Sequence, residues 1–292
     1  MFEKEIAFCS EKVGQEGSSL YYALLFQQPR DKAFWLGCFA LTYEIKRAAM
    51  LQYEAGLAQV KLGWWRNALL DCRSKQAQHP VILAIGPEVI NALPDEHWGE
   101  LINQVVGATE IKRNQTDQQA LSSVMLSLRP WGPVLQSLFA SRAKDAHQVH
   151  HSTRIDNEAI DNLLLFWGRS LQLTQLLRLA KYLDDGFQPL PIDWLQAHEV
   201  TAEQLKKREH TVATQALFKE SGEFLIREAN KLWKGLPTEL KLSCRPLRSL
   251  YRMRELEFKE HSRSAYLLLS EQKILSPWKK FSTAWSTHVL RK

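Results

Sequence analysis

Apolar residues recur at three- and four-residue steps along most of this chain, and the alternation that marks half-buried strands is hard to find. That periodicity predicts helices. The first covers residues 18–28, with Ser18 or Ser19 at its N-cap, and Pro29-Arg30-Asp31 breaks and restarts the chain. A long helix is predicted from Asp31 toward Gln52, with Ala33, Leu36, Ala40 and Tyr43 at helical steps. The next spans about 54–73, with Leu57, Val60, Trp64 and Ala68 on one stripe. His79-Pro80 opens another through Val81, Leu83 and Ile85. Leu93-Pro94-Asp95-Glu96 interrupts the pattern and restarts it toward Trp98, Leu101, Ile102 and Val105.

Residues 120–144 read as helical except at Arg129-Pro130-Trp131-Gly132-Pro133, where the prolines bend or break the run. Residues 145–154 are polar and histidine-rich and predict a loop. A strong helix follows over 157–183, closed by Asp184-Asp185-Gly186. A proline-punctuated turn at 188–191 leads to a short helix at 193–197. Two long helices are predicted at 202–232 and 248–271, with Gly235-Leu236-Pro237 and Pro246 between them, and a last segment starts at Pro277. No repeat, low-complexity tract or linker is visible. The expectation is one all-α domain over residues 1–292, larger than a four-helix bundle.

Composition changes this picture little. The chain is 45% hydrophobic and 24% charged, enough apolar material for a large core and too much for disorder. A net charge of +6 suits an anionic lipid, a diphosphate or a nucleic acid. The basic residues are spread out, without the dense block of a nucleic-acid arm, so no nucleic-acid partner is expected. Cys9, Cys38, Cys72 and Cys244 form no CxxC pair, which fits buried thiols in a reducing compartment. No signal peptide is read at the start, and charge interrupts every apolar stretch short of the ~20 residues a membrane span needs. A cytoplasmic protein with at most peripheral membrane contact is expected.

Three stretches carry a family resemblance. Ser18-Ser19-Leu20-Tyr21-Tyr22-Ala23-Leu24-Leu25, Pro29 and Phe39-Ala40-Leu41-Thr42-Tyr43-Glu44-Ile45 form the first. Lys61-Leu62-Gly63-Trp64-Trp65-Arg66-Asn67-Ala68-Leu69 forms the second. Gly168-Arg169-Ser170-Leu171-Gln172-Leu173-Thr174-Gln175-Leu176-Leu177-Arg178, followed by Leu190-Pro191-Ile192-Asp193-Trp194-Leu195, forms the third. In order and spacing these are similar to the opening helix pair, the Leu-x-Trp-Trp-Arg element and the Gly-Arg-x-x-Gln-Leu-Thr-Asn-x-x-Arg helix of the squalene/phytoene synthase family. The resemblance covers residues 15–205 patchily and is poor over 90–155. It implies an all-α prenyl-synthase-like bundle around a central apolar cavity. Tyr22, Tyr43, Trp64, Trp65, Gln172 and Gln175 would line that cavity.

The same resemblance implies a chemistry that the residues do not supply. Family enzymes ionise an allylic diphosphate, and the departing charge needs Mg²⁺, a hard cation that takes oxygen ligands. The family provides them as aspartates four apart on two helices, a spacing that puts both carboxylates on one face. Here Lys46-Arg47-Ala48-Ala49-Met50 follows Glu44-Ile45, and Leu179-Ala180-Lys181-Tyr182-Leu183 follows Arg178. Cations at these positions repel Mg²⁺. Asp184 and Asp185 come next, either with Asp184 as a displaced second ligand or with the pair as an acidic turn beside Gly186, and Glu44 alone cannot hold a metal cluster. No catalytic residue and no cofactor are therefore assigned, with Mg²⁺ expected only for an active enzyme.

Lys46, Arg47, Arg66, Arg178 and Lys181 would instead make a metal-free anion pocket, or else a set of solvated surface cations. Asp156, Glu158 and Asp161 open a helix, where acidic residues offset the macrodipole. His147, His150 and His151 have zinc-like spacing but no Cys or acidic partner in motif form. The chain is similar to the aspartate-less branch of the family, the mitochondrial assembly factor for respiratory complex I and its bacterial relatives, including at His79-Pro80-Val81. That branch implies a non-catalytic assembly or lipid-binding factor at the inner membrane, with an isoprenoid or lipid ligand and a respiratory-complex subunit as partner. The alternatives are an active prenyltransferase and a metal-free isoprenoid-diphosphate carrier.

Overall fold

The computed structural model describes residues 2–50, 55–72, 79–145 and 156–289. All regular structure among them is helical: α1 (Glu3–Val13), α2 (Ser19–Ala23), α3 (Pro29–Ala49), α4 (Ala55–Asp71), α5 (Pro80–Ile85), α6 (Pro87–Asn91), α7 (Asp95–Glu110), α8 (Asp117–Leu126), α9 (Trp131–Asp145), α10 (Asn157–Leu177), α11 (Leu179–Asp184), α12 (Ile192–Ala197), α13 (Ala202–Lys206), α14 (Val212–Gly235), α15 (Thr238–Ser243), α16 (Arg245–Ser262) and α17 (Pro277–Val289). The chain divides into two compact units. One holds residues 1–109 and 129–161, the other residues 110–128 and 162–292.

The first unit is built on α3, against which α1, α4 and α5 pack. Pro29 at its first turn sets the start. Phe34, Trp35, Leu36, Leu41 and Ile45 are fully buried along it. A Cβ on Gly37 would stand 2.9 Å from the backbone nitrogen of Ile85, so glycine is what lets α5 lie this close. His79 caps α5, its Nδ1 accepting from the Val81 N–H at 3.3 Å. Trp98, Leu101, Ile102 and Val105 are buried on α7 at the spacing read from the sequence.

In the second unit α10 supplies Leu163, Leu164, Phe166, Leu173 and Leu176 to the core. Phe166 meets Trp233 of α14 and Tyr251 of α16 at centroid distances of 4.9 and 5.3 Å. The helices α14 and α16 pack on one another, and α17 packs on α16. The residues before α8 are tied to the Leu-Pro loop by backbone bonds. Gln188 donates to the Lys112 carbonyl, Ile192 to that of Asn114 and Asp193 to that of Gln115.

Several elements depart from the periodic pattern. The opening helix at 18–28 is only the short α2, capped by the Ser18 hydroxyl, which accepts from the Tyr21 N–H. The acidic start of the chain folds into α1. The stretch at 202–232 is two helices, because Arg208 takes a positive φ of 58° and capping boxes at Thr201 and Thr211 start α13 and α14 separately. Positive φ at Ala265 and Tyr266 accompanies the end of α16 at Ser262, short of the expected 271. The polar stretch at 146–154, with His147, His150 and His151, lies outside the described residues.

His261 is 1% exposed, and burial holds its imidazole down at about 4. The folded state therefore favours the neutral ring, and the unfolded chain takes up the proton first as the pH falls. The resulting stability is complete above the ordinary value of 6.5 and is lost as the pH drops from there toward 4. That loss should reach on the order of 3 kcal/mol. Thermal melts across this window should show it, with a shallower acid slope in His261→Gln.

Candidate functional site

The residues singled out in the sequence fall on both units. In the first, α3 ends with Tyr43, Glu44, Lys46 and Arg47. Lys46 is half-buried, and burial pushes its ammonium below the usual lysine range. Arg47 is exposed. A cation beside the last carbonyls of a helix is favoured by the macrodipole, so this helix end is electrostatically self-consistent without a metal. Arg66 on α4 donates to Asn103 Oδ1 at 2.6 Å. Trp65 is buried, whereas Trp64 is 48% exposed. Both rings meet His79 edge-on, at 5.2 Å for Trp64 and 4.9 Å for Trp65, and Phe8 does the same at 5.3 Å. Burial lowers the His79 pKa, and Glu44 opposes that shift. Tyr22 packs on Tyr21 at 5.2 Å. Leu57 and Val60, read as part of an apolar stripe, face solvent on α4.

In the second unit, Arg169 and Arg178 do not share one continuous helix. The main chain breaks at Arg178, which caps α11 with φ −116° and ψ 24°. Arg169 is 8% exposed and makes a two-pronged bond to Asp117, Nη1 to Oδ1 at 2.6 Å and Nη2 to Oδ2 at 2.8 Å. Gln172 Oε1 accepts from the same guanidinium at 2.9 Å, and the group lies over the Phe224 ring. The Gly-Arg-x-x-Gln motif thus serves to join α10 to α8. Gln175 is half-buried on the following turn.

Arg178 has different surroundings. It lies in a group with Tyr182 of α11, Arg254 and Glu257 of α16 and Lys280 of α17, each close enough to another to shift its protonation. Arg254 donates to Glu257 Oε2 at 2.5 Å, and the two side chains are 12% and 6% exposed. Burial lowers the Arg178 pKa first, the neighbouring Arg254 adds to the shift, and Glu257 opposes it. Burial likewise lowers Lys280, with Glu257 opposing and Arg254 and Arg178 adding. Burial pushes the Tyr182 hydroxyl up. Arg178, Arg254, Lys280 and the Glu257 carboxylate are therefore gathered in a poorly hydrated place. Lys181 is exposed outside this group.

The acidic substitutes are engaged elsewhere. Arg208 donates to both carboxylate oxygens of Asp184 at 2.9 Å. Asp185 is exposed at the C-cap of α11. Asp156 accepts from the Ala159 N–H at 2.6 Å, a helix-start role. Among the described residues, no three or more His, Cys, Asp or Glu side chains converge as a metal would require. The residues at the expected Mg²⁺ positions do not fit that ion. All four cysteines are buried, and burial pushes Cys9 up to about 12 and raises Cys38 and Cys72, which disfavours the nucleophilic thiolate at those three.

Arg254 and Lys280 were not singled out in the sequence. They lie in the C-terminal third, where the resemblance rests on helical character alone. The lysines of Trp278-Lys279-Lys280 gave no sign of which one turns inward.

The fold is that of the isoprenoid synthases. It is similar to the crystal structure of a dehydrosqualene synthase in complex with ligand, with a TM-score of 0.69 at 17% identity over 98% of this chain and 96% of that one. Squalene synthase HpnC from Alicyclobacillus acidocaldarius gives 0.60 at 15% identity over 91% of this chain and 95% of that chain. YisP from Bacillus subtilis subsp. subtilis strain 168 gives 0.57 at 11% identity over 97% and 96%. No curated protein sequence matches the chain. The squalene/phytoene synthase family model matches residues 13–254, and the chain belongs to that family.

Proposed function

We propose that this chain is a non-catalytic member of its family that binds the diphosphate end of an isoprenoid, or a lipid phosphate, without a metal ion. One observation carries the reading. Lys46 and Arg47 on α3, and Arg178 and Lys181 at α11, stand where the resemblance implies the two aspartate motifs. Within the second unit, Arg254, Lys280 and the buried carboxylate of Glu257 stand around Arg178. Guanidinium forks bind phosphate oxygens directly and do the charge neutralisation that Mg²⁺ does elsewhere. They cannot follow a leaving group as a labile ion does, so binding without ionisation is what this chemistry favours. The apolar chamber implied by the resemblance would take the isoprenoid chain. By the same resemblance, the protein serves as an assembly or lipid-binding factor beside the inner membrane, with a respiratory-complex subunit as partner.

A second reading has one observation in its favour. Two of the similar structures are synthases, and the likeness runs over 98% and 91% of this chain. An active transferase would need Asp184 to leave Arg208 and recruit a metal. The discriminating experiment is equilibrium binding of farnesyl diphosphate in EDTA. Binding should persist, and Arg178→Ala should weaken it by about tenfold or more, the worth of one charge-assisted bond. Lys280→Met should do the same. Binding that appears only with Mg²⁺ would refute the metal-free site.

A further inference from the structure

Two glutamates on α16, Glu255 and Glu257, are each only 5% exposed. Two residues apart on a helix, they point to different sides of it. Glu255 accepts from Arg252 at 3.1 Å and from Lys259 at 2.9 Å. Those cations reach solvent, with side chains 43% and 60% exposed, so this carboxylate is laced into its own helix at i−3 and i+4. Glu257 is placed differently. It accepts from Arg254, and both side chains of that pair are buried. Its carboxylate also acts on Arg178 at the start of α11 and on Lys280 of α17, favouring the charged form of each. Lys280 is itself buried and Arg178 half-buried.

Like charges gathered where little water screens them repel strongly. In the empty protein the Glu257 carboxylate offsets that repulsion. An outside anion of phosphate type would use the same guanidinium donors and the same field. Brought beside Glu257, it meets a fixed negative charge in a poorly hydrated place, and that repulsion is as strong as the attraction it seeks. The anion gains most when Arg254 turns from Glu257 to its own oxygens. That exchange leaves the main chain in place. Arg254 and Glu257 sit three residues apart on one helix, so the pair parts by side-chain rotation alone.

We infer that Glu257 is an internal stand-in for the anion, which holds Arg254 while the site is empty and competes with phosphate oxygens for it. The inference rests on the proposed anion site and adds an autoinhibitory contact to it. The test is isothermal titration calorimetry of the full chain with inorganic pyrophosphate in EDTA. Glu257→Gln should bind about tenfold or more tightly than the wild type, because the opposing charge is gone. Glu257→Asp keeps the charge but withdraws it by one methylene. It should tighten binding by a smaller factor, and it carries the comparison if Glu257→Gln does not fold. Glu255→Gln makes the same change of net charge on the same helix and should leave the affinity within about twofold, as expected of a solvated pair. Glu257→Gln should also melt at a lower temperature when empty, and pyrophosphate should raise that temperature by more than it raises the wild type's. Equal affinity in the wild type and both Glu257 variants would overturn the inference and leave the proposed anion site standing. Equal gains in Glu257→Gln and Glu255→Gln would overturn it as well, since net charge alone would then explain them. Pyrophosphate bound by neither the wild type nor any variant would overturn the inference and the anion site together.

Discussion

Asp117→Ala should destabilise the second unit by about 3–5 kcal/mol, the usual cost of removing one partner from a buried ion pair. The substitution strands the Arg169 guanidinium, 8% exposed, with only Gln172 Oε1 and the Phe224 ring for company. It also removes the two bonds of 2.6 and 2.8 Å between α8 and α10, leaving the apolar contact of Leu121 and Met125 with Gly168. Urea denaturation should show the loss as a lower midpoint with an unchanged slope. Arg169→Lys with Asp117 in place should also lose stability, because an ammonium cannot reproduce the two-pronged fork. A shift below about 1 kcal/mol, the worth of a surface pair, would show that the bond is solvated and of little weight.

Gly222→Ala should be nearly as costly. A Cβ at this position would stand 2.1 Å from the ring of Phe258, which is itself 3% exposed. The ring rests against Tyr266 at 5.4 Å and has little room to swing away. Overpacking of this kind costs about 1–3 kcal/mol, occasionally more. Phe258→Leu should lose stability alone, and the double variant should lose less than the sum. Positive coupling in that cycle is the signature of a shared contact between α14 and α16. Strict additivity would mean that the backbone of α14 gives way instead.

The long helices were legible because their apolar spacing is strong. The stripe of Trp98, Leu101, Ile102 and Val105 became the buried side of α7, and Pro29 and His79-Pro80 marked helix starts. The breaks were harder. Arg178 interrupts a sequence that reads as one helix, with no glycine or proline to announce it. The capping box inside the stretch at 202–232 is Thr211-x-x-Thr214, which lacks the Glu or Gln of the usual signature, and the periodicity runs through it. The family motifs located Arg169 and Arg178 but not their contrasting roles. Asp117 lies 52 residues from Arg169, and the partners of Arg178 come from α16 and α17. Such distant pairings leave no mark in local spacing. On α17, Lys280, Thr283 and Ala284 are buried while Trp278 and Trp285 are exposed, and this too was hidden in the sequence. An amphipathic pattern identifies two faces without stating which one the fold will bury.

The most direct measurement of the account is turnover. Purified protein incubated with farnesyl diphosphate and Mg²⁺ should release no pyrophosphate and form no coupled product, while still retaining the ligand in EDTA. Mg²⁺-dependent pyrophosphate release that disappears in Asp184→Ala/Asp185→Ala would contradict the account, because it would place a working metal site beside Arg178.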